Sequence, residues 1–164
     1  MSFHLSLTCY IRLRPDYICL RNVQRGLDIE CAPWIALDKQ GSKPKVLAVG
    51  DEARQLANGN PDITVKNPFT HPRMLISDFT AALLLIRHLM HHAFSGERFF
   101  SPSPRVILHP DFLPEGGFTE IEVRAMKELC LGAGAIRCEG WQGRPLEDAE
   151  LLAGKFPSDG VKLW

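Results

Sequence analysis

Ser77-Asp78-Phe79-Thr80-Ala81-Ala82-Leu83-Leu84-Leu85-Ile86-Arg87-His88-Leu89-Met90-His91-His92-Ala93 decides the fold class, because its period is helical while most of what precedes it alternates in twos. Phe79, Ala82, Leu83, Ile86, Met90 and Ala93 recur at three- and four-residue spacing, which predicts a helix with one buried face. It starts near Ser77 or Asp78, and Ser95-Gly96 stops it. Upstream, Ile11 and Leu13 alternate with Arg12 and Arg14, and Pro15-Asp16 turns the chain toward Ile18 and Leu20. Leu27, Ile29 and Cys31 oppose Asp28 and Glu30, and the apolar runs 34–37 and 46–49 flank a polar turn. These segments predict an antiparallel meander. Asp51 caps a short helix through Ala57, and residues 61–76 read as an irregular, proline-punctuated connection.

Downstream, Arg105-Val106-Ile107-Leu108-His109 reads as a strand between proline boundaries. Thr119 and Glu122 form a capping box that opens a second helix with Ile121, Ala125 and Leu129 facing inward; Gly132 and Gly134 end it. Residues 136–138 read as a last strand and 146–153 as a terminal helix, with a loosely held tail over 155–164. The order, a meander followed by α-β-α-β, predicts one α/β unit over 1–154: a mixed sheet with helices packed on it.

The 164 residues carry 19 basic and 19 acidic side chains, so net charge is zero, which argues against a nucleic-acid partner and permits self-association. Five cysteines without a CxxC pair favour reduced thiols and a cytoplasmic location over a disulfide framework. The start, Met1 to Thr8, lacks the pattern of a signal peptide, and no window approaches the roughly 20 apolar residues a spanning helix needs.

Four words in order carry a family resemblance: Val46-Leu47-Ala48-Val49-Gly50-Asp51-Glu52-Ala53, Ile76-Ser77-Asp78-Phe79, Ser101-Pro102-Ser103-Pro104-Arg105-Val106 and Gly132-Ala133-Gly134-Ala135. Together they resemble the MreB family of bacterial actins, specifically the first subdomain of the N-terminal lobe. The resemblance implies a ribonuclease-H-like, actin-like ATPase fold, and an ancestor that bound ATP between two lobes, polymerised and sat on the inner membrane surface.

The nucleotide site implied by that resemblance is degenerate. Where the family has Asp-Leu-Gly-Thr, this chain has Arg12-Leu13-Arg14-Pro15. The acid becomes a cation, the glycine becomes bulky, and Pro15 removes an N–H donor. Arg12 and Arg14 are expected on a solvated strand edge. The family's Glu-Glu-Pro catalytic word falls on Gln142, Gly143 and Arg144, and Glu139 and Glu147 lie off the expected spacing. No second lobe follows to supply the rest of an ATP pocket, so no cofactor is expected.

The loop carrying Arg98, Phe99 and Phe100 matches the place where the family has membrane-dipping apolar residues. Its rings either contact an interface weakly or pack beneath the helix end. His88, His91 and His92 share a helix face without an HExxH word, and no Asp or Glu lies in residues 80–96, so they read as a polar surface, not a zinc site. The leading expectation is a non-catalytic binding or assembly protein, peripheral to the inner membrane, whose partner is a second copy or a cytoskeletal or envelope protein. The alternative is a small nucleotide-binding protein or enzyme with a repurposed site around Arg12, Arg14 and His109.

Overall fold

The computed structural model describes residues 7–96 and 103–164. Strands β1 (Thr8–Arg14), β2 (Tyr17–Asn22) and β3 (Leu27–Cys31) form the expected antiparallel meander. The next strands leave that sheet. β4 (Ile35–Asp38) pairs antiparallel with β5 (Lys45–Val49) on one side and with β6 (Ile63–Lys66) on the other. The meander is therefore divided between two sheets, and the connection read as irregular contains a strand. Its Ile63-Thr64-Val65-Lys66 does alternate, but four residues between Pro61 and Pro68 are easily read as part of a connection.

Helix α1 (Gly50–Gln55) lies between β5 and β6, and its N-cap is Val49, with no side-chain cap from Asp51. Gly50 adopts φ +69°, and its N–H donates to the Trp34 carbonyl oxygen at 2.8 Å. That backbone bond holds the helix start, which explains why the capping rule misplaced it.

Helix α2 (Phe79–Ala93) begins at Asp78, whose carboxylate accepts from the Ala81 N–H at 2.9 Å and takes a 2.7 Å contact from Lys66 Nζ. Ala82, Ile86, Met90 and Ala93 are buried as their spacing predicts. Leu85 and Leu89 join them, and burying each such side chain contributes about 1.5–3 kcal/mol. Phe79 is instead 39% exposed. β7 (Arg105–Pro110) follows, then α3 (Glu120–Gly132) with the reciprocal Thr119–Glu122 capping box in place. Its buried residues are Met126, Leu129 and Cys130, whereas Ile121 is 81% exposed. The inward face is thus rotated from the one expected, because the buried residues lie in the second half of a helix that packs against β8, α2 and β7.

β8 (Arg137–Gln142), α4 (Asp148–Ala153) and β9 (Val161–Lys162) complete the chain. The main sheet has the order β3-β2-β1-β7-β8-β9. β1 pairs in parallel with β7, and β7 with β8, which matches the mixed, helix-covered sheet of the ribonuclease-H-like expectation. Both faces of β1 and β7 are buried, as expected for central parallel strands. Cys9, Ile11, Leu13, Val106 and Leu108 join the core cluster that holds the buried residues of α2 and α3. Tyr10, Ile107 and Trp141 form a second core with Leu146 and with Leu151 of α4.

The segment 155–164 is not loosely held. β9 pairs with Trp141 and Gln142, and Trp164 Nε1 donates to the Cys138 carbonyl oxygen at 3.0 Å. Gly140 makes room for the Trp164 ring, since a side chain there would overlap it. Buried Arg105 links this segment to the sheet: it donates to Glu139 at 2.5 Å and to the Leu151 carbonyl oxygen at 3.0 Å, while Lys162 reaches the same Glu139 at 3.0 Å.

Candidate functional site

The ends of β1, β7 and β8 converge beside the β1–β2 hairpin. Parallel pairing sets Arg12 beside His109, and Arg12 then donates to Asp111 at 2.7 Å. Burial opposes the Arg12 charge, yet the bond and attraction to Asp111 raise its pKa. The Asp111 N–H donates in turn to the Leu13 carbonyl oxygen at 2.9 Å, so backbone and side chain together fasten β7 to β1.

His109 is 1% exposed. Its Nδ1 lies 2.6 Å from the Tyr10 hydroxyl, and that hydroxyl oxygen accepts from the Leu146 N–H at 3.1 Å. The direction of the Tyr10–His109 bond follows the ring tautomer, and the Gly143 backbone gives His109 a further hydrogen bond. Burial lowers the His109 pKa, followed by opposing attraction to Asp111 and repulsion from Arg12. Burial also pushes Tyr10 up to about 12. The two groups are neutral partners joining three segments of the chain.

Arg14 and Pro15 turn away from this cluster. Arg14 lies 5.1 Å from the Tyr17 ring centroid and 3.4 Å from Asp16, while the Pro15 carbonyl oxygen accepts from Asn67 at 2.7 Å. The structure therefore unites Arg12 with His109 and leaves Arg14 and Pro15 on the hairpin. Arg12 is half-buried, not on a solvated edge. Arg98, Phe99 and Phe100 lie outside the described residues.

At the end of β8, Gln142 and Gly143 line a pocket of about 270 Å³ with His109, Asp111, Phe112 and Leu113. A side chain at Gly143 would crowd the Trp141 ring, so a carboxylate cannot stand there without moving it. Arg144 is drawn toward α4 by Glu150, at 2.6 Å. Glu139 is engaged by Arg105 and Lys162, and Glu147 caps α4. These residues do not fit the phosphate loop and catalytic carboxylates that the resemblance implies. The one acid at the site, Asp111, is neutralised by Arg12. Gln142 Nε2 and Arg12 Nε are buried without hydrogen-bond partners.

Sequence reading alone missed Tyr10 and Leu146. They meet His109 only through the β1–β7 pairing and the return of the chain across the sheet, for which no short motif exists.

A second surface lies on α3. Ile121, Arg124, Glu128 and Leu131 follow one another at three-, four- and three-residue intervals, and all are exposed. Leu131 is 40% exposed, and Arg124 Nε donates to Glu128 at 3.0 Å. Met74, Phe79 and Ile121 border an apolar groove of about 280 Å³ beside this stripe.

The model of the family described as MreB/Mbl protein matches residues 21–140. The cell shape-determining protein MreB of Escherichia coli K12 is 34% identical over 102 residues, 62% of this chain and 27% of that protein. Its counterpart in Haemophilus influenzae is 33% identical over 110 residues, 66% of this chain and 29% of the other. The chain thus spans little more than a quarter of these relatives. Among solved structures, MreB5 of Spiroplasma citri bound to ADP superposes with a TM-score of 0.62 at 19% identity, over 81% of this chain and 37% of the other. A non-polymerising mutant of MamK bound to AMPPNP gives 0.63 at 14% identity, over 84% and 41%. At these identities the structural likeness establishes the fold.

Proposed function

This chain belongs to the MreB/Mbl protein family, and from that premise we propose that it is a non-catalytic assembly module of the cell-shape cytoskeleton that pairs with a second copy of itself. The observation carrying this reading is the exposed stripe of α3. Read from either end it is apolar, charged, oppositely charged and apolar: Ile121, Arg124, Glu128, Leu131. An antiparallel pairing sets Ile121 against the second copy's Leu131 and Arg124 against its Glu128, twice over, as two-fold symmetry requires. The three-four-three spacing is that of a helix-packing seam, and the adjoining apolar groove widens the contact. Zero net charge leaves little general repulsion to oppose it.

The non-catalytic part of the proposal is supported by the Arg12–Asp111 ion pair and by Gln142 and Gly143 where carboxylates were expected. Sedimentation of the full chain over a concentration series tests the pairing. The wild type should shift toward dimer, and Ile121→Glu should remain monomeric with unchanged circular dichroism. A wild type that stays monomeric at high concentration overturns the proposal.

Within this reading the chain works in the cytoplasm and touches the inner membrane surface weakly through Arg98, Phe99 and Phe100, with a cytoskeletal or envelope protein as a further partner. Flotation with anionic liposomes tests the membrane contact, and equal flotation of a Phe99→Ser/Phe100→Ser variant would refute it. Among the described residues, no helix is long and apolar enough to cross a membrane.

A further inference from the structure

His88 and His92 stand one turn apart near the C-terminal end of α2, with ring centroids 4.5 Å apart and planes inclined by 57°. His92 is exposed and His88 half-buried. The His91 ring is 6.1 Å from His92 and set edge-on to it, at 75°.

The sequence reads these histidines as a polar surface, but the 4.5 Å approach of two rings revises that, and we propose that His88 and His92 form a two-point chelate for a divalent transition cation of the zinc or nickel class, with water completing its coordination. Residues at i and i+4 project from one face of a helix, and a modest ring rotation sets a nitrogen of each about 2.0–2.1 Å from a shared ion. The helix C-terminus adds its partial negative charge, which favours a bound cation. Imidazole nitrogens suit zinc, copper and nickel, whereas calcium and magnesium prefer oxygen ligands. No acidic residue occurs between positions 80 and 96 to offer the latter. Two neighbouring cations point to carbonyl oxygens: Arg87 donates to Gly132 at 2.7 Å and Arg25 to Ser95 at 2.9 Å. Among the described residues no group of three or more His, Cys, Asp or Glu is arranged to hold a metal. The site is accordingly an open, exchangeable one, unlike a closed structural zinc centre.

Isothermal titration of the untagged full chain with nickel, and separately with zinc, in a non-chelating buffer tests this. The expected result is one ion per chain, with affinity at least tenfold weaker in His88→Ala and in His92→Ala, about 1.4 kcal/mol. His91→Ala should bind within threefold of the wild type. In nuclear magnetic resonance spectra, nickel should broaden the ring signals of His88 and His92 first. No binding by the wild type overturns the proposal. So does equal binding by a His88→Ala/His92→Ala variant, which would assign the ion to other histidines or to the thiols, or a His91→Ala loss as large as the other two.

Discussion

The Tyr10 hydroxyl lies 2.6 Å from His109 Nδ1 across the parallel seam between β1 and β7, two side chains 99 residues apart in sequence. The same oxygen accepts from the Leu146 N–H, so one phenol holds the two central strands and the approach to α4 together. Tyr10→Phe removes the partner of two buried groups. Leaving a buried polar group unsatisfied costs about 1–3 kcal/mol. Urea unfolding should show a lower midpoint with an unchanged slope.

His109 also gives stability a dependence on pH. Its folded pKa lies below the ordinary 6.5, so between those values the unfolded chain binds the extra proton and the folded chain does not. Stability therefore rises with pH through that window and levels off above about 6.5. The loss on acidification should be smaller in His109→Gln, measured by unfolding at a series of pH values.

Asp78 acts with the carboxylate sign. The Ala81 N–H and then Lys66 hold its pKa below 3.8, so its contribution is present above that value and disappears as pH falls through the lower folded pKa. Removing such a helix cap by Asp78→Ala should cost about 0.5–2 kcal/mol near neutral pH. The difference from wild type should vanish in strong acid.

The α3 pairing makes a charge-reversal prediction. Arg124→Glu should weaken the dimer by putting acids opposite one another, and so should Glu128→Arg by opposing cations. The double variant restores complementarity, so its sedimentation should return toward that of the wild type.

Nucleotide provides a further check. Ligand present at 100 times its dissociation constant stabilises a protein by about 2.7 kcal/mol. Thermal unfolding with millimolar ATP or GDP and magnesium should show no shift, because Arg12 is already paired with Asp111. A clear rise would favour the nucleotide-binding alternative.

Local chemistry was legible in the sequence where one segment sufficed. The Thr119–Glu122 capping box and the Asp78 boundary of α2 need only neighbouring residues, and both are present. Tertiary choices were not. Ile121 looks like a core residue by type and spacing, but its side chain is left outside once Met126, Leu129 and Cys130 meet the sheet. The alternation of Ile63-Thr64-Val65-Lys66 was too short to separate from the proline-flanked connection until its pairing with β4 was seen, and the hold on the last ten residues depends on room above Gly140 for Trp164. At the site, the departure from the family's Asp-Leu-Gly-Thr could be read from Arg12, Arg14 and Pro15. The ion pair from Arg12 to Asp111 needed the strand register.

The parallel seam also has a consequence for biosynthesis. β1 leaves the ribosome well before its partner β7, which begins only at Arg105. Until then the β1–β2–β3 hairpins present an unpaired, apolar edge, and contacts so distant in sequence form slowly. The nascent chain therefore passes through a prolonged aggregation-prone interval, during which a holding chaperone would raise the yield of folded protein.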